Sequence, residues 1–130
     1  MPRLDGSHEI IAHRGYSARA PENTLAAIDA AVRAGADAVE WDVQIASCGT
    51  PVLFHDAHLG RTSNGVGPVR RRTLGQLRLL DAGSWFSAEF AEERIRGAVM
   101  VDYLFPSFRN VLDLAVGITK WKEAGFPTAR

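Results

Sequence analysis

The chain has a single cysteine, no surplus of charge of either sign, no long apolar run and no internal repeat. One cysteine, Cys48, excludes an internal disulfide and a cysteine-based zinc cluster, so nothing in the composition calls for an oxidising compartment. Fifteen basic and fifteen acidic side chains cancel, which removes the global field that draws a protein to nucleic acid or to an anionic membrane. Any anion site therefore has to be built locally. No apolar stretch approaches the ~20 residues that cross a bilayer, and the opening Met1-Pro2-Arg3-Leu4-Asp5-Gly6 lacks an apolar core of signal-peptide length. The expectation is a soluble cytoplasmic protein with no transmembrane segment and no nucleic-acid partner.

What is present suits one globular domain: 130 residues, 46% hydrophobic and 23% charged, are enough for a real core. The stretch that organises the chain is Ala38-Val39-Glu40-Trp41-Asp42-Val43. As a strand it aims Val39, Trp41 and Val43 at one face, and Glu40 and Asp42 together at the other. Two carboxylates on one face of an apolar strand are costly to bury unless something positive sits between them. A hard divalent cation, Mg²⁺ or Ca²⁺, is the simplest such partner because it prefers oxygen ligands. The bland alternative is a surface strand with a solvated acidic face.

The flanking segments alternate strand and helix. Glu9-Ile10-Ile11-Ala12 reads as a short strand running into His13-Arg14-Gly15. A helix is expected next, with Pro21 at its first position and Glu22 at the positive end of its dipole. Leu25, Ile28 and Val32 recur along one face of it, and Gly35 stops it. Strand, helix and strand make a βαβ unit with parallel pairing. Pro51-Val52-Leu53-Phe54-His55 is a third strand, but only about five residues connect it to the second, where a parallel return needs a dozen or more. A tight turn at Cys48-Gly49 and a hairpin are favoured, with Asp42 and His55 roughly opposite; a compressed crossover stays open.

Residues 57–94 read as loop and helix. Arg61-Thr62-Ser63-Asn64-Gly65-Val66-Gly67-Pro68 is turn-rich. Arg70-Arg71-Arg72 is a solvated face, and His8 and His58 are solvated as well. Thr73 with Gln76 makes a capping box ahead of Leu74, Leu77 and Leu80, so a short helix starts there. Trp85 and Phe86 fall in a loop, packed against that helix or lining a substrate. Cys48 is a turn or core filler.

His13-Arg14-Gly15, Pro21-Glu22-Asn23-Thr24, Glu40-Trp41-Asp42-Val43, His55-Asp56, Arg61-Thr62 and Leu80-Asp81-Ala82-Gly83-Ser84-Trp85-Phe86 stand in order and close to the spacing of the glycerophosphodiester phosphodiesterases. The resemblance runs from about residue 9 to about residue 95. It implies an α/β fold, a distorted eight-stranded β/α barrel of the TIM type with a small helical insertion over residues 57–94. It also implies metal-dependent hydrolysis of glycerophosphodiesters to glycerol 3-phosphate and an alcohol, a reaction of lipid metabolism. Glu40 and Asp42 would bind the Mg²⁺ or Ca²⁺, Arg14 the phosphate, and His13 and His55 would be the acid–base pair. Glu22, Asn23 and Asp56 would support them, with Asp56 orienting His55. The chemistry asks for these types. A phosphodiester anion repels nucleophiles, and its alcohol leaves poorly without a proton. Imidazoles titrating near 6.5 suit proton transfer in both directions.

Past Ile95 the pattern departs. Residues 96–105 intervene before Pro106-Ser107-Phe108-Arg109-Asn110-Val111-Leu112, which is expected to open a helix through Leu114 and Ala115. The family's next Glu-x-Lys strand, with a third metal carboxylate, is absent, and 118–130 resembles nothing. A β/α barrel takes ~250 residues, so 130 hold about its first half. Two alternatives to the phosphodiesterase follow: an inactive half-barrel remnant that acts at most as a binding module, and a sphingomyelinase D-like enzyme, against which the Pro-Glu-Asn-Thr motif argues. Half a barrel leaves sheet edges open, Ala98-Val99-Met100-Val101 is itself β-prone, and Trp121 and Phe126 add apolar surface. Self-association is therefore expected, against a competing arrangement in which 96–105 fold back and cap an edge. Light scattering with thermal unfolding tests it: a monodisperse monomer with one sharp transition, hydrolysing a glycerophosphodiester at an ordinary enzymatic rate, refutes the half-barrel expectation.

Overall fold

In a computed structural model that describes residues 10–99 and 111–113, three parallel strands lie beside a separate antiparallel hairpin. Strand β1 (Ile11–His13) leads through helix α1 (Leu25–Arg33) to β2 (Ala38–Trp41), and β1 and β2 pair in parallel with His13 opposite Glu40. This is the expected βαβ unit. Strands β3 (Val43–Ile45) and β4 (Pro51–Leu53) form the expected hairpin. Its turn closes as Gly49 N–H donates to Ala46 O and Ala46 N–H to Thr50 O, leaving Cys48 exposed at the tip. The phenylalanine after β4 donates its N–H to Asp42 O, so Asp42 lies across from Phe54 and near His55.

The stretch 38–43 is one strand in sequence and two in space. Asp42 interrupts it because its N–H is taken by the side chain of Asn23 instead of a ladder carbonyl. The side-chain alternation nevertheless persists: Val39, Trp41 and Val43 all join one apolar cluster with Ile28 and Ala31 of α1, Leu53 and Ala98. Leu53 and its neighbours on β4 point to opposite sides. Val52 and Phe54 enter a second cluster with Ala46, Leu59, Val69, Leu77, Ala82 and Ile95. The hairpin thus separates two cores.

Helix α1 begins four residues later than Pro21. Thr24 is its N-cap, with Oγ1 accepting from Ala27 N–H, and the Pro21 carbonyl accepts from that same hydroxyl. A threonine cap satisfies an otherwise orphaned amide, which a proline start does not. The carboxylate at the positive end of this helix is Glu93, whose Oε1 accepts from Ala26 N–H, in place of the expected Glu22. The buried face is Ala27, Ile28 and Ala31, while Val32 is 40% exposed. Small alanines let the helix approach the sheet closely, and that rotates Val32 outward. Gly35, at φ +81°, ends the helix as expected, with its N–H on Val32 O and that of Ala36 on Ala31 O.

Residues 57–94 are mostly turn, contrary to the helical expectation. Their regular pieces are two short 3₁₀ turns (Val69–Arg71 and Ala88–Phe90) and the four-residue α2 (Leu74–Leu77), which starts at the expected Thr73–Gln76 capping box. Five glycines and one proline punctuate this stretch, so helix propagation is cut short. His58 and Arg70 are exposed, as expected. Trp85 stacks edge-to-face on Phe86, and Phe86 in turn on Phe90. Leu53 N–H donates to Arg96 O and Gly97 bridges Val52, so residues 96–97 do line the outer edge of β4. Ala98 and Val99 have helical backbone, not the extended form their sequence favours, because Ala98 is drawn into the first core. Strand β5 (Val111–Asp113) pairs in parallel with β2 where a helix was expected. An open edge of β2 offers it a ladder, which local helical spacing cannot register. His8, Met100 to Phe105, Trp121 and Phe126 lie outside the described residues. Among the described residues no helix is long and apolar enough to cross a membrane.

Gly15 tests the close approach of β1 to α1. It has φ +81°, and a Cβ there would lie 2.7 Å from the Ala27 backbone carbon. Gly15→Ala should cost about 2–4 kcal/mol in urea unfolding, the sum of left-handed strain and overpacking. Gly49→Ala, at φ +84° but in open space, should cost only about 1–2 kcal/mol.

Candidate active site

The end of β1, the loop before α1, the break after β2 and the end of β4 meet at two buried carboxylates. Glu40 is 3% exposed and Asp42 2%. Charge so deeply buried demands partners, and the sequence delivers them from three directions.

Arg14 approaches from β1. It adopts a left-handed backbone (φ 58°) while its N–H continues the ladder to Glu40 O at 2.6 Å. A non-glycine residue in that region is strained; here the turn sends the guanidinium back over the strand ends. Nε lies 3.1 Å from Asp42 Oδ2, and because the N–H is not aimed along that line the contact is ionic. Nη1 donates to Glu22 Oε2 at 3.1 Å. Asn23, only 4% exposed and also left-handed (φ 57°), grips Asp42 twice. Its Oδ1 accepts from Asp42 N–H at 3.1 Å, and its Nδ2 donates to Asp42 Oδ2 at 3.0 Å. Its own N–H donates to Arg14 O, so the two strained residues hold each other. His13 Nε2 lies 3.3 Å from Glu40 Oε2, yet its side chain is 61% exposed and borders an open groove of about 420 Å³ along the outer edge of β1.

From β4, His55 Nδ1 is 2.6 Å from Asp56 Oδ1. Gln44 Nε2 donates to the carbonyls of Phe54 and Asp56, pinning the backbone on both sides of that histidine. Arg61 closes the ring. It donates to Asp56 through Nε (2.8 Å) and Nη2 (3.0 Å), and to Glu22 through Nη1 and Nη2 (both 2.9 Å). These hydrogen bonds, before any contribution from His55, hold the Asp56 carboxyl well below the usual carboxylate range. The Asp56 and Glu22 carboxylates in turn raise the Arg61 pKa.

All eight residues singled out in the sequence therefore fall in one neighbourhood. Arg14, Glu22, Asn23, Asp42, His55 and Asp56 form a single chain of contacts completed by Arg61, and the His13–Glu40 pair lies beside it. Sequence reasoning missed Arg61, Gln44 and the helix-capping Glu93. Arg61 stood in a motif but carried no role, because its partners are 5 and 39 residues away.

Glu40 and Asp42 offer the hard oxygen donors that suit Mg²⁺ or Ca²⁺. The carboxylates Glu22, Glu40, Asp42 and Asp56 outnumber the guanidinium groups of Arg14 and Arg61 by two, the charge of one divalent cation. Donor chemistry and charge fit the group. Donor number falls short, since no three His, Cys, Asp or Glu side chains among the described residues are arranged to hold a metal ion.

The sequence profile described as "Glycerophosphoryl diester phosphodiesterase family" matches residues 13–127. A glycerophosphodiester phosphodiesterase of Caldanaerobacter subterraneus is 49% identical over 86 residues, 66% of this chain and 35% of the relative. Among solved structures, a glycerophosphodiester phosphodiesterase from Agrobacterium tumefaciens superposes with a TM-score of 0.78 at 36% identity, over 81% of this chain and 46% of that one. A phosphodiesterase from Oleispira antarctica, in complex with the product sn-glycerol-3-phosphate, gives 0.76 at 33% identity over 93% and 54%. The chain spans about a third of the length of such curated relatives and about half of the solved structures. Its parallel strands and the helix α1 that connects the first two accord with part of a β/α barrel.

The Asp56 contacts make acid stability a test. A carboxyl whose folded pKa is depressed contributes stability above its unfolded value, and that stability is lost as pH falls through the folded value. Asp81, whose carboxylate accepts from the Ser84 hydroxyl and from Ser84 and Gly83 N–H, is lowered to about 2. Urea unfolding free energy should be flat above about pH 5 and fall below the ordinary carboxylate value of 3.8. Asp56→Asn and Asp81→Asn should each flatten that fall.

Proposed function

This chain belongs to the glycerophosphoryl diester phosphodiesterase family, and from that premise we propose that it hydrolyses glycerophosphodiesters to glycerol 3-phosphate and an alcohol. The observation that carries the proposal is the unbroken run of contacts from His55 through Asp56, Arg61, Glu22 and Arg14 to Asp42, next to the His13–Glu40 pair. It brings two imidazoles and a guanidinium around buried carboxylates, the set that a phosphodiester anion requires. The neighbour from Oleispira antarctica holds sn-glycerol-3-phosphate as its product, which supports the same substrate class here.

His55 shares its Nδ1 proton with Asp56 and so keeps Nε2 for moving a proton at the attacking or the leaving oxygen. His13 is the complementary group, open to solvent on one side and facing Glu40 on the other. Arg14, already balanced between Asp42 and Glu22, meets the phosphoryl oxygens where charge develops. Asn23 keeps the Asp42 carboxylate fixed in rotation. A divalent cation held by Glu40 and Asp42 would supply Lewis-acid polarisation of a phosphoryl oxygen.

A second reading, a binding module without turnover, draws on the short donor set among the described residues. One assay decides between them. With glycerophosphocholine and either Mg²⁺ or Ca²⁺, the chain should release glycerol 3-phosphate, and His55→Ala should lower kcat about 10²–10⁴-fold. Cation binding seen by calorimetry with no release favours the binding module. Two carboxylates alone predict weak binding; sub-micromolar affinity would require a third donor.

A further inference from the structure

We propose that Arg61 is a positioning residue that sets the orientation and tautomer of His55 by clamping Asp56 against Glu22. The inference rests on the phosphodiesterase reading for its bearing on turnover, and on geometry alone for its bearing on His55.

The guanidinium is used on two sides at once. Its Nε and Nη2 meet both oxygens of Asp56, and its Nη1 and Nη2 meet both oxygens of Glu22. A planar fork can hold two carboxylates in one plane in this way, and a point charge cannot. Asp56 gains most from it. The torsion that turns a carboxylate about its Cβ–Cγ bond is broad and soft, so an unclamped Asp56 would present either oxygen, or neither, to the ring. With Arg61 in place, Oδ1 is fixed 2.6 Å from His55 Nδ1. An ionised carboxylate only accepts, so the proton between them belongs to Nδ1. Nε2 is left as the lone-pair nitrogen.

Glu22 is the anchor on the far side. It precedes α1, is bound by Arg14, and lies 39 residues from Arg61 in sequence. The turn-rich excursion carrying Arg61 is thereby tied to the loop that carries Asn23. The Arg61 side chain is 46% exposed, so water partly screens its charge, but the paired contacts to both carboxylates still fix their orientation.

The tautomer of His55 is read from long-range ¹H–¹⁵N spectra of the ¹⁵N-histidine-labelled chain, at a pH where the ring is neutral. The Nδ1–H form should dominate in the unmodified chain. Arg61→Lys keeps the charge and loses the fork, and it should shift His55 toward a mixture as far as Arg61→Met does. In an Asp56→Asn background, Arg61→Lys should add nothing further, because Arg61 acts through Asp56. In turnover of glycerophosphocholine, Arg61→Lys should lower kcat roughly tenfold or more with KM within about twofold. Urea midpoints check that each variant is folded; Arg61→Gln, which keeps an amide donor, replaces any that is not. An unchanged tautomer ratio in a folded Arg61 variant overturns the proposal, and so does a change carried wholly by KM, which would make Arg61 a substrate ligand. If the unmodified chain releases no glycerol 3-phosphate, the functional reading fails, while the tautomer measurement still decides what Arg61 does.

Discussion

Burial of Glu40 and Asp42 is the constraint on which the rest of this structure depends. Two ionised carboxylates nearly excluded from water cost several kcal/mol each unless compensated. Compensation comes from elements that sequence separates widely: Arg14 from the end of β1, Asn23 from the loop before α1, and His13 across the β1–β2 ladder. Each compensating group imposes a backbone demand. Arg14 and Asn23 both take left-handed conformations, and Gly15 between them must lack a Cβ to let Ala27 approach. The strained loop is thus a consequence of the charge burial, and the hydrogen bond from Asn23 N–H to Arg14 O lets one strained residue restrain the other.

From that centre the charge pattern spreads outward by alternation of sign. Asp42 is met by Arg14, Arg14 by Glu22, Glu22 by Arg61, Arg61 by Asp56, and Asp56 by His55. The two ends differ physically: Asp42 is buried, whereas Arg61, Asp56 and His55 at the other end are partly exposed. Interactions near Asp42 compensate buried charge, whereas those near His55 are partly screened by water. Residues 57–94 take part at two places, through Arg61 in the site and through Glu93 at the N-terminus of α1. They are an integral wall of the domain, tied in by the second hydrophobic cluster on the far side of the hairpin.

Local signals were readable wherever a few neighbouring residues decide the outcome. The Thr73–Gln76 capping box, the Gly35 stop, the hairpin turn at Cys48-Gly49 and the apolar side of Val39, Trp41 and Val43 all follow from spacing and turn chemistry. Readings that needed a distant partner failed. Pro21 and Glu22 read as a helix start, but Thr24 caps the helix and Glu93 supplies the charge. Val111 to Asp113 read as helix and pair instead with the edge of β2.

By itself the sequence determined which residue types gather at the candidate site and on which strand face each falls, because a period of two forces Glu40 and Asp42 together and keeps Trp41 opposite. The motif order also sufficed to point to the family. Tertiary structure alone decided how the charges are matched. A guanidinium can meet any carboxylate within reach, and reach depends on where β1, the α1 loop and the end of β4 come to lie. Arg61 could be quoted from the sequence as half of a two-residue motif. Its four hydrogen bonds exist only because folding brings Glu22 and Asp56 to either side of one planar group.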